Sequence, residues 1–235
     1  MQRLNDAAGD GSEPGTPSGL FLAARPTGPA IAAAPGIVPG APPAPAGHDR
    51  HQAILEAAKQ VGSLLKRDGH SFALAGSVAV HAHGGAGNFR HDADFCVRRQ
   101  DADAVAATLS EAGLLVFEPP EDWLWKAKCL GQDIDLLFEL AHEPVTSEVL
   151  DRAEQLPVDS VIMPVLSATD LLRSLLAAFS EHHCDFGAVL PIARALREKV
   201  DWQRVRRDCE DAPMAAAFLY MLERLRVIAP AKGRA

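Results

Sequence analysis

Three aspartates lie where the sequence predicts β-strands, and their spacing suits the chemistry of a divalent metal ion. Asp92 and Asp94 are two residues apart in an alternating run, so both side chains lie on one face of a strand. Neighbouring ionised carboxylates repel each other, and burial raises that cost unless a cation lies between them. Mg²⁺ suits such a pair because it binds carboxylate and phosphate oxygens together. A solvated strand end is the alternative interpretation, and the pair alone favours neither.

The third aspartate, Asp135, lies within the apolar run 132–138, where a lone carboxylate is costly. If this strand lies beside that of Asp92, three carboxylates meet on one face of the sheet. In-line phosphoryl or nucleotidyl transfer by two metal ions needs such a cluster. Asp133 is nearer the start of the strand, and we expect it to have a structural role or to lie outside the metal's direct ligands.

Gly76 and Ser77 follow a short apolar stretch that predicts a buried strand, and a short helix is predicted after them. Glycine lets a ligand approach the backbone closely, and the N-terminus of a helix binds phosphate. Ser77 is predicted to cap this helix, which ends near Gly84. An ordinary turn with a capping serine has the same sequence, so the pattern indicates a phosphate site only in combination with the aspartates.

The elements that must hold these residues follow from hydrophobic periodicity. Further helices are predicted over residues 54–68, 101–112, 146–155, 167–179, 186–197 and 202–226, the last one broken near Pro213. Strands are predicted over residues 72–75, 92–97, 124–130, 132–140 and 161–166. Strands mixed with helices, and then helices alone, indicate an α+β fold with a small helical C-terminal part.

Composition divides the chain into three parts. Residues 1–47 hold nine of the 17 prolines and eight of the 18 glycines, and we predict a disordered tail there. Residues 48–166 form the predicted α+β core, and residues 167–235 form the helical C-terminal part.

Charge and composition also limit the classes of partner. The formal net charge of -8 makes this 235-residue chain a poor generic binder of nucleic-acid backbone. No apolar run reaches the roughly 18–20 residues of a membrane span, so we expect no membrane partner. The four cysteines contain no Cys-x-x-Cys pair, and we interpret them as free thiols in a reducing cytoplasm.

The sequence resembles small bacterial members of the nucleotidyltransferase superfamily. The resemblance lies in Leu74-Ala75-Gly76-Ser77-Val78-Ala79-Val80-His81-Ala82-His83-Gly84, in Arg90-His91-Asp92-Ala93-Asp94-Phe95, and in the later Asp135. Similar members are abortive-infection-type toxins, minimal nucleotidyltransferase antitoxins and antibiotic adenylyltransferases. The resemblance implies a nucleotidyltransferase-like mixed sheet flanked by helices for residues 48–166.

The resemblance also implies roles for the motif residues. Gly76 and Ser77 would hold a triphosphate, and Asp92 and Asp94 would bind both metal ions. Asp135 would bind the catalytic ion and help to activate the acceptor hydroxyl. The implied cofactor is Mg²⁺, with Mn²⁺ as the alternative. Arg90 is a further candidate for binding the nucleotide, although it could equally pair with a nearby acid.

The function implied is transfer of a nucleoside monophosphate from an NTP to a hydroxyl of a small molecule, RNA or protein. Two positions depart from the family pattern. Arg90 stands where members often have Thr, and Ser174 stands where the toxin-like group usually has Lys. The intact aspartate triad keeps the enzyme as the first interpretation. The departures motivate an alternative, a catalytically inactive nucleotidyltransferase-fold binding module with a protein or RNA partner, such as one half of a toxin–antitoxin pair. A metal-binding regulatory protein is a third possibility.

Overall fold

The computed structural model describes residues 47–86 and 92–231. Its helices are α1 (Gly47–Arg67), α2 (Gly76–Ala82), α3 (Ala102–Glu111), α4 (Ser147–Asp151), α5 (Ala168–Ala177), α6 (Phe186–Leu196), α7 (Trp202–Asp208) and α8 (Pro213–Arg224). Its strands are β1 (Ala73–Ala75), β2 (Asp92–Cys96), β3 (Leu115–Phe117), β4 (Leu124–Cys129), β5 (Gln132–Leu137), β6 (Glu139–Leu140), β7 (Glu143–Pro144), β8 (Glu154–Val158) and β9 (Val161–Val165). The tail predicted over residues 1–47 lies outside the described residues except for its last position.

In the described part, seven strands form one mixed sheet in the order β3-β4-β5-β2-β1-β9-β8. The central strand β2 is antiparallel to β1 and parallel to β5. β1 and β9 are parallel, and the remaining neighbours in this sheet are antiparallel. Helices flank the sheet, and α5 to α8 follow it in the chain. The predicted α+β class, with a mixed sheet and a helical C-terminal part, is confirmed.

One face of the sheet forms the larger apolar core. Phe95, Ile134 and Leu136 are fully buried on this face, and α1 packs against β2, β5 and β9. Because side chains alternate along a strand, the residues between these apolar ones face the other side. The aspartates of β2 and β5 are therefore directed away from the larger core.

The helices α5 to α8 contribute most of a second cluster of buried apolar residues. Phe179, Phe186 and Phe218 pack together there, with ring centroids 5.2 to 5.6 Å apart. Val80 from α2 belongs to the same cluster, so the two parts of the chain share apolar contacts. The division at residues 166 and 167 stays a prediction.

One predicted helix is wrong in its second half. The helix expected over 146–155 ends at Asp151, and the chain then forms β8, which pairs with β9. Val158 is fully buried, so pairing and burial at the sheet edge outweigh local helix propensity. Pro157 is compatible with this position because an edge strand tolerates a residue without a backbone N–H.

Other short strands were absent from the prediction or were merged with longer ones. β3 and β7 were not predicted, and β6 forms a separate two-stranded sheet with β7 instead of continuing β5. Strands of two or three residues are too short to show a reliable alternating pattern. Within residues 47–86 and 92–231, no helix combines the length and apolar character needed to cross a membrane.

Asp170, in the first turn of α5, joins the helical part to the core. Its carboxylate, 3% exposed, accepts hydrogen bonds from Arg152 after α4 at 2.9 and 3.1 Å and from Arg204 of α7 at 2.9 Å. Ser167 donates to the same carboxylate and also caps α5. Burial raises the pKa of Asp170, but the hydrogen bonds from Arg152 and Ser167 outweigh burial and hold it below its ordinary value.

We expect Asp170→Asn to lower the free energy of unfolding at pH 7 by about 3 kcal/mol, because it removes one partner of a buried ion pair. A carboxyl with a lowered pKa stabilises the fold above its unfolded-state pKa, and this contribution is lost as the pH falls through the folded-state pKa. The difference between variant and wild type should therefore shrink below about pH 4. Urea unfolding of both proteins from pH 3 to 7 measures this difference in the free energy of unfolding.

The control for this prediction is Glu198→Gln, which removes an exposed partner of Arg197. Its unfolding midpoint should stay close to wild type, since exposed ion pairs contribute little. Equal midpoints for wild type and Asp170→Asn at pH 7 would contradict the role given to Asp170.

Candidate metal centre

The parallel pairing of β2 and β5 brings the predicted carboxylates together. Asp92 lies opposite Asp133, and Asp94 lies opposite Asp135. One oxygen from each of Asp92, Asp94 and Asp135 lies within 4.8 Å of the other two. The condition set by the sequence, that the two strands be neighbours, is therefore met. The assignment of the three residues as metal ligands stays a prediction.

Burial makes this cluster electrostatically costly. Asp94 is 1% exposed and Asp135 is 4% exposed. Burial raises the pKa of Asp94 well above its ordinary value, and the charges of Asp92 and Asp135 raise it further. Oδ1 of Asp94 is buried and has no hydrogen-bond partner among the described residues. A cation would satisfy this oxygen and remove the repulsion, so these residues fit a divalent ion.

Lys126 on β4 is a member of the site that was not predicted. Its Nζ donates to Oδ1 and Oδ2 of Asp135 at 2.7 and 2.9 Å. Burial lowers the pKa of Lys126, but its hydrogen bond to Asp135 and the nearby negative charges raise it above its ordinary value. Burial likewise raises the pKa of Asp135, and Lys126 offsets part of that shift. The ammonium group therefore acts as a counterion inside the cluster.

Gly76 begins α2 directly beside Asp94. Its φ is +61°, and a Cβ at this position would lie 1.8 Å from Oδ2 of Asp94. A side chain is excluded at Gly76 by both the backbone conformation and the neighbouring carboxylate. In the structure, the group that approaches this glycine closely is Asp94 itself.

The prediction that Ser77 caps α2 is wrong. The capping position is Ala75, with no side-chain cap, and Ser77 lies buried inside the first turn. A capping side chain must stand one residue before the helix to reach the free N–H groups of the first turn. Because α2 begins at Gly76, Ser77 is already past that position.

The candidate Arg90 is not described, and two other side chains, Trp125 and Asp185, have structural contacts. Arg90 falls in residues 87–91, outside the described residues. Trp125 is on the opposite face of β4 from Lys126, where it packs edge-on against Phe138 at 5.8 Å with the Arg99 guanidinium 5.0 Å from its ring. Asp185 accepts a hydrogen bond from the Ala188 backbone N–H and caps α6.

A small cavity of about 90 Å³ lies between the β6–β7 hairpin, α5 and the end of α7. Asp170, Arg173 and Ser174 contribute to its wall, and none of the three clustered carboxylates does. We place the candidate site at the carboxylates because uncompensated buried charge requires a ligand, whereas the charged groups in the cavity wall are already paired.

The fold of this chain is similar to solved structures of known proteins. No family model and no curated protein sequence matches the chain. A crystal structure of ANT(2'')-Ia in complex with adenylyl-2''-tobramycin is 12% identical with a TM-score of 0.48, over 71% of this chain and 97% of that one. A solution structure of the antibiotic-resistance factor ANT(2'')-Ia is 13% identical with a TM-score of 0.49, over 76% of this chain and 96% of that one.

We expect Gly76→Ala to destabilise the fold more than Gly113→Ala does. Both glycines have positive φ, but a Cβ at Gly113 meets nothing within 4 Å, so that variant isolates the cost of the backbone conformation, about 1–2 kcal/mol. At Gly76 the new Cβ must also displace the buried carboxylate of Asp94. Urea unfolding of both variants measures the difference, and equal losses of stability would show that Asp94 is not held against Gly76.

Proposed function

We propose that this protein is a metal-dependent nucleotidyltransferase that moves a nucleoside monophosphate from an NTP to a hydroxyl acceptor. The observation that carries the proposal is the cluster of three carboxylates on neighbouring strands, two of them almost fully buried. Such a cluster opposes folding unless it binds a cation. Oδ1 of Asp94, which has no hydrogen-bond partner in the part of the chain that the structure describes, supports a ligand at this point.

Each residue of the site has a proposed role. Asp92, Asp94 and Asp135 would hold Mg²⁺ or Mn²⁺, which when bound supplies positive charge to the phosphate oxygens. Gly76, which lies beside Asp94, and the following Ser77 bind the triphosphate, and Arg90 is a further contact to it. These residues align the α-phosphorus so that the acceptor oxygen forms a bond to it and pyrophosphate leaves. Asp135 also helps to orient and deprotonate the acceptor hydroxyl.

A second candidate function is a catalytically inactive binding module with a protein or RNA partner. The observation that favours it is the ion pair between Lys126 and Asp135, because an ammonium group already neutralises one of the three carboxylates. Under the first proposal, the acceptor is a small molecule, an RNA or a protein. The two candidates differ in whether the site binds an NTP together with a metal ion.

We expect Asp94→Asn to abolish Mg²⁺-dependent NTP binding and to lower the transfer rate by roughly 10²-fold or more, because it removes a charge that the metal requires. Calorimetric titration with each NTP, with and without Mg²⁺, measures binding. Asp103→Asn is the matched control, since Asp103 is an exposed aspartate on α3. It should bind like wild type.

Undiminished binding and transfer by Asp94→Asn would contradict the proposed mechanism. Failure of the wild-type protein to bind any of the NTPs in Mg²⁺ would instead favour the inactive binding module. Binding of one NTP by wild type and Asp103→Asn, lost in Asp94→Asn, would support the enzyme and identify the donor.

A further inference from the structure

Lys126 holds a positive charge beside the carboxylate cluster, on the strand next to that of Asp135. Register places Lys126 directly across from Asp135, which in turn lies across from Asp94. Both oxygens of Asp135 accept hydrogen bonds from the Lys126 ammonium group, at 2.7 and 2.9 Å. The positive charge is therefore held at the edge of the carboxylate cluster by the chain itself.

We infer that Lys126 takes the place of a second metal ion, so that the nucleotide-free protein binds a single divalent ion at Asp92 and Asp94. This inference rests on the proposed function, since it assumes that the carboxylate cluster is a metal site. It assigns to Lys126 a positioning role that sets how many ions the site holds.

The charges of the cluster support one ion. Asp92, Asp94 and Asp135 carry three negative charges when ionised, and Lys126 supplies one positive charge. The ammonium group of Lys126 therefore lowers by one the negative charge that a second divalent ion would meet at this partly buried site. A second ion would also be repelled by the ammonium group at short range.

The hydrogen bonds lead to the same conclusion. Oδ1 of Asp94 has no partner among the described residues, so it is available to a metal ion. Both oxygens of Asp135 already accept from Lys126, so an ion binding there competes with the ammonium group for the same carboxylate. The side chain of Asp135 is 6% exposed, so water does not easily take the place of Lys126 or Asp135 in this ion pair.

A second lysine on the same strand provides a matched control. Lys128 forms an ion pair with Asp133, its cross-strand neighbour, in the same way as Lys126 with Asp135. The side chains of Lys128 and Asp133 are 44% and 46% exposed, so this pair lies outside the buried cluster. Removing Lys128 deletes a similar charge without freeing a ligand of the proposed metal site.

The test counts Mn²⁺ ions bound to the full chain without nucleotide, by electron paramagnetic resonance and calorimetry. Wild type and Lys128→Met should each bind one ion. Lys126→Met should bind two ions, and its affinity for the second ion should be roughly tenfold or more above that of wild type. Lys126→Arg, which keeps the positive charge, should return to one ion, and so should the double variant Lys126→Met, Asp135→Asn.

Each outcome has a distinct meaning. Two ions in wild type, or one ion in a folded Lys126→Met, would overturn the inference while leaving the metal site and the proposed function in place. No ion in wild type would overturn both the inference and the proposed function. Circular dichroism of each variant with and without Mn²⁺ shows whether it is folded, and Lys126→Arg provides a second test if Lys126→Met is not.

Discussion

The site depends on the repulsion among the carboxylates of Asp92, Asp94 and Asp135 and on the removal of two of them from water. Buried like charges oppose folding, so the remainder of the fold must supply the free energy that holds them together. The apolar face of the sheet, packed against α1, does so, because alternation along β2 and β5 makes burial of Phe95 and Ile134 inseparable from placing the aspartates on the opposite face.

Two local features then lower the free-energy cost of burying the carboxylates. Gly76 leaves space for the Asp94 carboxylate beside the start of α2, and Lys126 neutralises Asp135 from the neighbouring strand. Neither contact gives a hydrogen bond to Oδ1 of Asp94, which is buried and has no partner within residues 47–86 and 92–231. Burying this carboxylate oxygen without a ligand lowers the stability of the fold, so a protein that binds no cation here would be more stable with an uncharged side chain. This loss of stability is the physical reason for expecting a cation.

The sequence predicted the fold class, the strands of the three aspartates and the helices of the C-terminal part. Alternation and helical spacing are local signals, and each of these elements is long enough to show them. The end of the helix at Asp151 and the strand β8 could not be predicted in this way, since the pairing of β8 with β9 and the burial of Val158 depend on the sheet.

Lys126 is an instructive omission. Strands were predicted on both sides of Gly131. With a two-residue turn at Leu130 and Gly131, the hairpin register places Lys126 opposite Asp135. The signal was therefore present, but it required combining the turn with the register. For the cap wrongly assigned to Ser77, the sequence held no such signal. The start of α2 depends on the backbone conformation of Gly76 beside Asp94.

The central claim is that the carboxylate cluster destabilises the protein until a divalent ion binds. Thermal unfolding of wild type and Asp94→Asn, each in chelator and in Mn²⁺, tests it most directly. In chelator, Asp94→Asn should melt at a higher temperature than wild type, and Mn²⁺ should raise the melting temperature of wild type but not of the variant. A wild-type melting temperature that is the same in chelator and in Mn²⁺ would contradict the account.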